Sequence, residues 1–366
     1  MNMNTDWSEF DIACMKRAIE LAERGRGQVS PNPPVGCVLA QSDNIIAEGW
    51  HDHLGDLHAE QAAIADAEAR GVATEGCTAY VTLEPCNHFG RTPPCTQALL
   101  WSGVGEVVVA ARDPNPTVRG AGIQVLLDAG ISVREGLLME QAQIQMQAFM
   151  HWCEHKRPLV TLKAAMDANG VVDGESPGRF TSEESLDAAH RMRRHADAIL
   201  VGVNTIIRDN PSLNIRRVPI GESNQPLRVV LDRTLRIPQN SKVLTDDGDT
   251  LLIHTQQDSR GVALPADGKG GADLNALLDH LGDRGTQELL VEGGPKVWKH
   301  FIEEKLVDRA IIIQSPNLLG EGPMSGLDDS LLIEAGLERV EQKNWGDDVV
   351  TLWTRANLPW PSQEWP

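Results

Sequence analysis

The sequence lacks signals for membrane insertion and secretion. None of its apolar runs approaches the length of a membrane span, and residues 1–10 are acidic and polar, unlike a signal peptide. Its six cysteines show no disulfide framework, which favours a reducing, cytoplasmic setting. Cations are also scarce, since 33 Lys and Arg face 52 Asp and Glu, for a formal net charge of −19. Because nucleic-acid binding needs clustered Lys and Arg, we expect a small-molecule ligand and neither a nucleic-acid nor a membrane partner.

The usual nucleotide-binding motifs are absent too. There is no G-x-G-x-x-G fingerprint and no Walker A lysine. The sequence does contain a glycine pair, Gly293-Gly294, between a predicted strand that leads into Glu292 and a predicted helix that begins at Pro295. Backbone N–H groups at such a helix N-terminus can bind a phosphate, although a tight turn explains two glycines equally well.

A zinc-site pattern runs from His58 to Cys95. His58, Cys86 and Cys95 offer one imidazole and two thiolates, and a catalytic zinc ion keeps its fourth position for water. Glu60 lies two residues after the histidine and need not be a ligand. This order of residues is typical of zinc-dependent nucleobase deaminases, in which the glutamate is the general acid and base. Here eight residues separate the two cysteines, instead of the usual two.

The spacing also predicts how these residues come together. Residues two apart do not face each other within a helix, so we place His58 and Glu60 in the first turn of one. Cys86 follows a predicted strand over 78–83, which Pro85 terminates. Cys95 begins a short predicted helix, and a helix N-terminus favours the thiolate form. Two strand-to-helix junctions are therefore expected to converge on one metal ion.

Other interpretations of single residues remain open. Two cysteines alone are usually small buried apolar residues. A structural zinc site needs four protein ligands, and only His88 offers a fourth. The Asn32 amide, held between prolines, can contact a pyrimidine edge or belong to a plain turn. His51 and His53 are candidate substrate contacts, with surface loop residues as the default interpretation.

The length and the element pattern predict two domains. At 366 residues the chain exceeds a typical single core, and strands alternate with helices in both halves. We divide it into domains 1–152 and 153–366 at a charged, proline-ended segment. One long helix is predicted over 138–151, and a capping box at 181–184 is predicted to open another. The tail over 358–366 is rich in Trp and Pro and has no assigned role.

At this point the motifs identify a resemblance. The chain resembles the bifunctional deaminase–reductases of riboflavin biosynthesis over essentially its whole length. The segments that carry the resemblance are 31–38 (PNPPVGCV), 58–60 (HAE), 78–86 (TAYVTLEPC), 88–95 (HFGRTPPC), 113–116 (DPNP), 199–205 (ILVGVNT), 209–213 (DNPSL) and 291–295 (VEGGP).

The resemblance implies a fold and two reactions. An N-terminal cytidine-deaminase-like three-layer α/β/α domain would precede a dihydrofolate-reductase-like α/β domain. The first would use Zn²⁺ to remove an amino group hydrolytically from 2,5-diamino-6-ribosylamino-4(3H)-pyrimidinone 5′-phosphate. The second would use NADPH to reduce the ribosyl group to ribityl. A homo-oligomer is also expected.

Motif positions imply site residues as well. In the reductase domain, the implied substrate contacts are Ser176, Arg193, Leu213, Arg216 and Glu292. The implied NADPH contacts are Ala165, Thr205, Asp209, Gly294, Pro295, Lys296, Val297, Trp298, Lys299 and His300.

The chemistry of these residue types suggests roles. Glu60 would take a proton from the water that zinc activates and deliver it to the ring nitrogen and the leaving amine. Lys163 and Glu292 are the candidate proton donors for reduction. Arg193 and Arg216 are candidate bidentate partners for the substrate phosphate, with a plain salt bridge as the equal alternative.

The reductase half departs from the family pattern at two places. The family usually carries Ser-x-Asp-Gly where this chain has Asp167-Ala168-Asn169-Gly170, and often Ser-x-Trp-Ile-Thr where this chain has residues 176–181. Asp167, Asn169 and Arg179 would then change the charge beside the nicotinamide. A zinc deaminase with an inactive, structural second domain is therefore the alternative function. A purely structural zinc protein is disfavoured by Glu60 and the open coordination position.

Overall fold

The chain forms two compact units, Met1–His155 and Lys156–Pro366. The computed structural model describes residues 6–88, 93–115, 121–174, 178–220, 225–362 and 365–366. Within these ranges, no helix is both long and apolar enough to cross a bilayer. Each unit is a mixed α/β structure.

The first unit is built on a five-stranded sheet with the strand order β2-β1-β3-β4-β5. Strands β1 and β2 are antiparallel, and β3, β4 and β5 are parallel. Its elements are α1 (Glu9–Ala22), β1 (Gly36–Gln41), β2 (Asn44–Trp50), α2 (Ala59–Ala69), β3 (Thr78–Leu83), α3 (Cys95–Trp101), β4 (Glu106–Ala111), α4 (Ala121–Asp128), β5 (Ser132–Glu135), α5 (Met139–Gln145) and α6 (Gln147–His155).

Alternation along the strands makes this unit a three-layer sandwich. Val38 and Ala40 of β1 pack with α1, α5 and α6 in one apolar cluster. Cys37 and Leu39, which alternate with Val38 and Ala40 along β1, pack with α2, α3 and α4 in a second cluster. Because successive strand residues point to opposite faces, one buried strand supplies both cores. The expected α/β/α layering is confirmed.

The predicted long helix over 138–151 is wrong in two respects. It breaks at Met146, whose φ of −101° and ψ of 25° separate α5 from α6, and it runs on to His155. Of the polar residues that suggested a linker, His151, Glu154 and His155 belong to α6, and Lys156 and Arg157 follow it. The boundary placed between 152 and 153 therefore falls inside a helix, and the two units divide between His155 and Lys156.

The second unit has a nine-stranded sheet with the order β10-β9-β8-β7-β11-β6-β12-β14-β13. Its elements are β6 (Leu159–Asp167), α7 (Glu183–His195), β7 (Ala198–Gly202), α8 (Val203–Asp209), β8 (Leu227–Leu231), α9 (Lys242–Thr245), β9 (Thr250–His254), β10 (Val262–Ala263), α10 (Leu274–Asp283), β11 (Glu288–Val291), α11 (Pro295–Glu303), β12 (Arg309–Ser315), α12 (Asp329–Glu334), β13 (Leu337–Trp345) and β14 (Asp348–Arg355).

Helices cover both faces of this sheet as well. In the sheet order given above, the seven strands from β10 to β12 are parallel to one another. Strand β14 pairs antiparallel with β12, and β13 pairs antiparallel with β14. One apolar cluster joins the sheet to α10, α11 and α12, and two others join it to α7 and α8. Parallel strands bring their carboxyl ends to one edge, which is where ligands bind in open α/β sheets.

The N-terminus of α7 differs from the predicted capping box. Ser182 is the cap, and its hydroxyl accepts the backbone N–H of Ser185 at 3.1 Å, so Thr181 and Glu184 do not form the box. The Ser182 hydroxyl also donates to the Trp345 carbonyl at 2.7 Å. Contacts with the antiparallel strands therefore select the cap one residue later.

The Trp-rich tail is part of the second core. Trp365 is 3% exposed and belongs with Trp360 to the cluster that includes α7. Its indole N–H lies 2.9 Å from His195 Nδ1, and the Arg191 Nε–H donates to the Pro366 carbonyl at 2.9 Å. The tail thus fixes the outer side of α7.

Candidate active sites

The predicted zinc ligands meet at two strand-to-helix junctions. His58 is the N-cap of α2, and Glu60 lies in its first turn. Cys95 is the first residue of α3, and Cys86 follows β3. His58 Nδ1 lies 3.6 Å from Cys86 Sγ and 3.3 Å from Cys95 Sγ, and all three ligand atoms lie within 4.8 Å of one another. The predicted convergence is confirmed.

The junctions are tied together by the backbone. The Cys95 N–H donates to Cys86 Sγ at 3.4 Å, and the Thr96 N–H donates to the Cys86 carbonyl at 3.2 Å. These two bonds hold the start of α3 against the end of β3. The cysteines are therefore brought together although eight residues separate them in sequence.

Hydrogen bonding between the two cysteines favours the thiolate form of Cys86. Hydrogen bonding from Cys95, supported by His58, lowers the pKa of Cys86 to about 4. Hydrogen bonding to Cys86, together with burial, raises the pKa of Cys95 well above its ordinary value. The N–H at the start of α3 points at the neighbouring sulfur, so the helix terminus stabilises charge on Cys86.

Glu60 lies beside this triad in a cavity of about 280 Å³. Its side chain is 3% exposed, and burial raises its pKa to about 7, with the neighbouring Cys86 adding to the effect. The cavity is lined by Pro31, Asn32, Pro33, Val35, His51, His58, Ala59, Glu60, Leu83, Glu84, Cys86, His88, Asp113, Asn115, Phe149 and Trp152.

Polar groups of the cavity are fixed by one another. The Asn32 amide nitrogen lies 3.1 Å from His51 Nε2, and His51 Nδ1 lies 2.9 Å from the Leu57 carbonyl. His51 is 3% exposed, so the default surface assignment is wrong for it. His53 is half-exposed, pairs with Asp52, and does not line the cavity. Asn32 is thus held as a preset hydrogen-bonding group.

Several lining residues were missed by the sequence analysis. Glu84, 3% exposed, accepts backbone N–H groups of Asp113, Gly122 and Ile123 at 3.1–3.4 Å, and so anchors the segment after β4. In the sequence, the position of Glu84 directly before Pro85-Cys86 was the signal that could have indicated its place near the site. Phe149 and Trp152 come from α6, with no local signal. His88 lines the cavity but is exposed, and it is outside the metal-binding triad found among the described residues.

The second unit has a cleft of about 820 Å³ at the carboxyl edge of its parallel strands. It is lined by Lys163, by Arg193, Leu213, Arg216 and Glu292 of the predicted substrate contacts, and by Ala165, Thr205, Asp209, Gly294, Pro295 and Trp298 of the predicted cofactor contacts. Ser176 lies outside the described residues.

The rest of the predicted cofactor segment lies outside the lining of the cleft. Lys296, Val297, Lys299 and His300 are not among the residues that line the cleft. His300 Nε2 lies 3.1 Å from an Asp267 oxygen, and Val297 packs on Gly293. A helix presents one face to a ligand, so α11 brings only part of this range to the cleft.

The Arg193 guanidinium is committed to protein groups. It donates to both oxygens of Glu292 at 2.7 Å and to the Asn214 carbonyl at 3.1 Å. These bonds use three of the five N–H groups of Arg193 and leave one on each Nη nitrogen for a further acceptor. The side chains of the pair are 12% and 8% exposed, so this is a buried ion pair and not a surface one.

The ion pair also shifts the pKa values of the two candidate proton donors. Burial alone would raise the pKa of Glu292, but Arg193 and Lys163 lower it to about 2. This direction favours an ionised Glu292, which accepts hydrogen bonds. Burial lowers the pKa of Lys163, opposed by the Glu292 charge, which leaves Lys163 as the candidate.

A second group of cations lies at the cleft. Arg216 and Arg179 both line it, and burial together with Arg193 and Arg179 lowers the pKa of Arg216. Burial, with Arg193 and Arg216, lowers the pKa of His190 to about 4, which favours the neutral imidazole. The His190 Nδ1 accepts the backbone N–H of Arg216 at 3.2 Å. The Arg216 side chain contacts Asn214 through one nitrogen at 2.8 Å.

The departures from the family pattern have unequal consequences. Asp167 is fully buried, and its carboxylate accepts backbone N–H groups of Asn169, Val171 and Leu319 at 2.8–2.9 Å. It therefore fixes a turn, and it does not line the cleft. Asn169 is exposed and does not line the cleft. Only Arg179 places a changed charge there.

Comparisons with known proteins agree with both sites. Residues 8–111 match the cytidine and deoxycytidylate deaminase zinc-binding region, and residues 158–351 match the RibD C-terminal domain. The riboflavin biosynthesis protein RibD of Aquifex aeolicus is 39% identical over 358 residues, covering 95% of this chain and 99% of that protein. The Escherichia coli protein of the same name is 36% identical, covering 84% of this chain and 88% of that protein.

A solved structure is similar over the same length. It is a diaminohydroxyphosphoribosylaminopyrimidine deaminase/5-amino-6-(5-phosphoribosylamino)uracil reductase from Thermotoga maritima, with a TM-score of 0.84 and 32% identity, covering 95% of this chain and 99% of that one.

Fold and sites thus define a two-domain enzyme in which a deaminase of the zinc-dependent nucleobase class precedes a reductase. The chain belongs to the RibD family of riboflavin biosynthesis and is a bifunctional deaminase and reductase. The alternative of a deaminase with an inactive second domain is not favoured.

The Arg193–Glu292 pair predicts a pH-dependent stability. Because the pKa of Glu292 falls from 4.5 to about 2 on folding, its stabilisation is complete above about pH 4.5 and is lost as the pH falls toward 2. Arg193→Met should destabilise the second unit by about 3–5 kcal/mol at pH 7, since it leaves a buried charge unpaired. Urea unfolding between pH 2 and 7 measures both effects.

The double variant Arg193→Met/Glu292→Leu is the matched control. It removes the whole pair and should recover much of the lost stability, because neither charge of the pair is left without its partner. Equal stability of Arg193→Met and the native chain at pH 7 would contradict the prediction.

Proposed function

We propose that His58, Cys86 and Cys95 hold a zinc ion for hydrolytic deamination. Ligands of a tetrahedral zinc lie about 3.5–3.8 Å apart, given bond lengths of about 2.1 Å to nitrogen and 2.3 Å to sulfur. The separations of His58 Nδ1 from the two sulfurs are 3.6 Å, within this range, and 3.3 Å, slightly below it. Bound there, the ion would activate a water molecule for attack at neutral pH.

The observation that carries the deaminase proposal is the position of Glu60. It lines the same cavity as His58 and Cys86 and is buried next to them without belonging to the triad. A carboxylate in this position can take a proton from the attacking water, give it to the ring nitrogen, and then assist the departure of the amine. Asn32, held by His51, is placed to bond an edge of the ring.

The substrate proposed for this cavity is the one named for the relatives. The Thermotoga protein is a diaminohydroxyphosphoribosylaminopyrimidine deaminase. A cavity of about 280 Å³ is at the lower limit for ligand pockets, so it suits the pyrimidine base alone. The ribosyl phosphate of 2,5-diamino-6-ribosylamino-4(3H)-pyrimidinone 5′-phosphate would then project out of it.

The cleft of the second unit fits NADPH. Its volume of about 820 Å³ lies within the range of cofactor sites. A Cβ built on Gly294 meets nothing within 4 Å, so the start of α11 is open to a phosphate there. Thr205 and Asp209 line the same cleft. NADPH bound there would supply the hydride that reduces the ribosyl group.

The side chains of this cleft can take the remaining roles. Lys163 donates the proton that the reduced sugar needs, since burial favours its neutral product. Glu292, ionised and fixed by Arg193, accepts hydrogen bonds from the substrate or Lys163. The Arg216 side chain donates to Asn214 through one nitrogen, and its other N–H groups would bind the substrate phosphate. The homo-oligomeric state stays a prediction.

We expect one zinc ion per chain, lost in Cys86→Ala and in Cys95→Ala because three ligands are the minimum for this site. Elemental analysis of the purified variants measures it. Cys77→Ala, at a buried cysteine outside the triad, and His88→Ala should both keep the metal. Undiminished zinc in Cys86→Ala, or its loss in His88→Ala, would contradict the ligand assignment.

Glu60→Gln should keep zinc and fold while the deamination rate falls by about 10²-fold or more, the usual effect of removing a general acid and base. Ammonia release from the pyrimidine substrate measures the rate. Glu75→Gln, at an exposed glutamate outside the cavity, is the control and should match the native rate. If Glu60→Gln loses its metal, Glu60 is a ligand and the assignment fails.

Supplied with the deaminated intermediate, the full chain should oxidise NADPH faster than NADH, and Lys163→Met should slow this by about 10²-fold by removing the proton donor. The fall in NADPH absorbance measures both. Lys269→Met, at an exposed lysine paired with Glu304, should not change the rate. A flat trace from native chain that still deaminates would leave no role for the reductase cleft.

A further inference from the structure

The deaminase cavity has an aromatic wall that comes from α6. Phe149 and Trp152 both line it and are three residues apart, so their side chains share one face of the helix. Phe149 is 6% exposed and belongs to the apolar core between the sheet and the helices. Trp152 is only partly buried and packs against that core. Its indole is therefore the larger aromatic surface available to a ligand.

This helix lies outside both family matches. The zinc-binding region ends at residue 111 and the RibD C-terminal domain begins at 158, while α6 spans Gln147–His155. His58, Glu60, Cys86 and Cys95 all lie within the first match. The matched module thus supplies the chemistry of the cavity, and the segment between the two matches supplies part of its wall.

The polar groups of the cavity leave the faces of a base without a partner. Asn32, His51 and Glu60 offer hydrogen bonds, which a heterocycle accepts and donates along its edge. The face of the ring is a flat π surface, and an aromatic side chain is the protein group that matches it. A pocket for a base needs both kinds of contact to fix the plane of the ring.

We propose that Trp152 is a specificity-determining residue of the deaminase, and that its indole packs on the face of the pyrimidine ring. The proposal rests on the proposed deaminase function and adds the group that orients the base. Phe149, which is buried in the core, supports the wall.

The test compares two substitutions of Trp152 in the full, zinc-loaded chain. Trp152→Leu keeps an apolar side chain but removes the π surface, whereas Trp152→Phe keeps an aromatic ring that is smaller than the indole. We expect the KM for deamination to rise about 10-fold or more in Trp152→Leu, with kcat changed less than about threefold, and Trp152→Phe to recover most of the affinity. Trp101→Leu, at a tryptophan that is 73% exposed, should leave both constants unchanged.

Zinc content and thermal unfolding are measured on each variant first. An unchanged KM in Trp152→Leu, or equal KM values in the Leu and Phe variants, would overturn the proposal, as would a loss in kcat alone. If Trp152→Leu does not fold or loses zinc, Trp152→Met takes its place, because methionine fills irregular space without a ring. Absence of deamination in the native chain would instead refute the proposed function, so the two failures are distinguishable.

Discussion

The geometry of parallel strands is the constraint on which both sites depend. In the first unit, β3 and β4 run parallel, so Cys86 after one and Asp113 after the other meet at the same edge. In the second unit, β7 and β11 are parallel neighbours, and the segments after them carry Thr205 and Glu292 to one cleft. Each site is thus assembled from loops that a common strand direction brings together.

Buried carboxylates are treated differently at the two sites. Among the described residues no cationic side chain is bonded to the buried Glu60, and burial raises its pKa to about 7. Glu292 is just as enclosed, but Arg193 binds both its oxygens and its pKa falls to about 2. The first environment suits a group that gains and loses a proton, and the second a group that keeps its charge. The same residue type is therefore fitted for proton transfer in one unit and for fixed hydrogen bonding in the other.

Supporting contacts reach both sites from distant parts of the chain. Glu84 ties the segment that holds Asp113 to the strand before Cys86. Helix α7, which carries Arg193, is fixed on its outer side by Trp365 and Pro366. These contacts preserve the positions of side chains that could otherwise move by the small distances that matter for catalysis.

The sequence by itself determined the local features. Periodicity and the Pro and Gly positions were sufficient for most strands and helices, since these depend on neighbouring residues. The order of His58, Glu60, Cys86 and Cys95 indicated the metal triad, because ligand types and their spacing are a local record of the chemistry. Family motifs likewise indicated most residues of the reductase cleft.

Only the tertiary structure decided which partner each polar group takes. It aimed the N–H at the start of α3 at Cys86, engaged Arg193 with Glu292, and made Asp167 the anchor of a turn. It also broke the helix at Met146 and placed Trp152 in the deaminase cavity. These outcomes depend on side chains that are far apart in sequence, and their charge and burial exist only once the chain has folded.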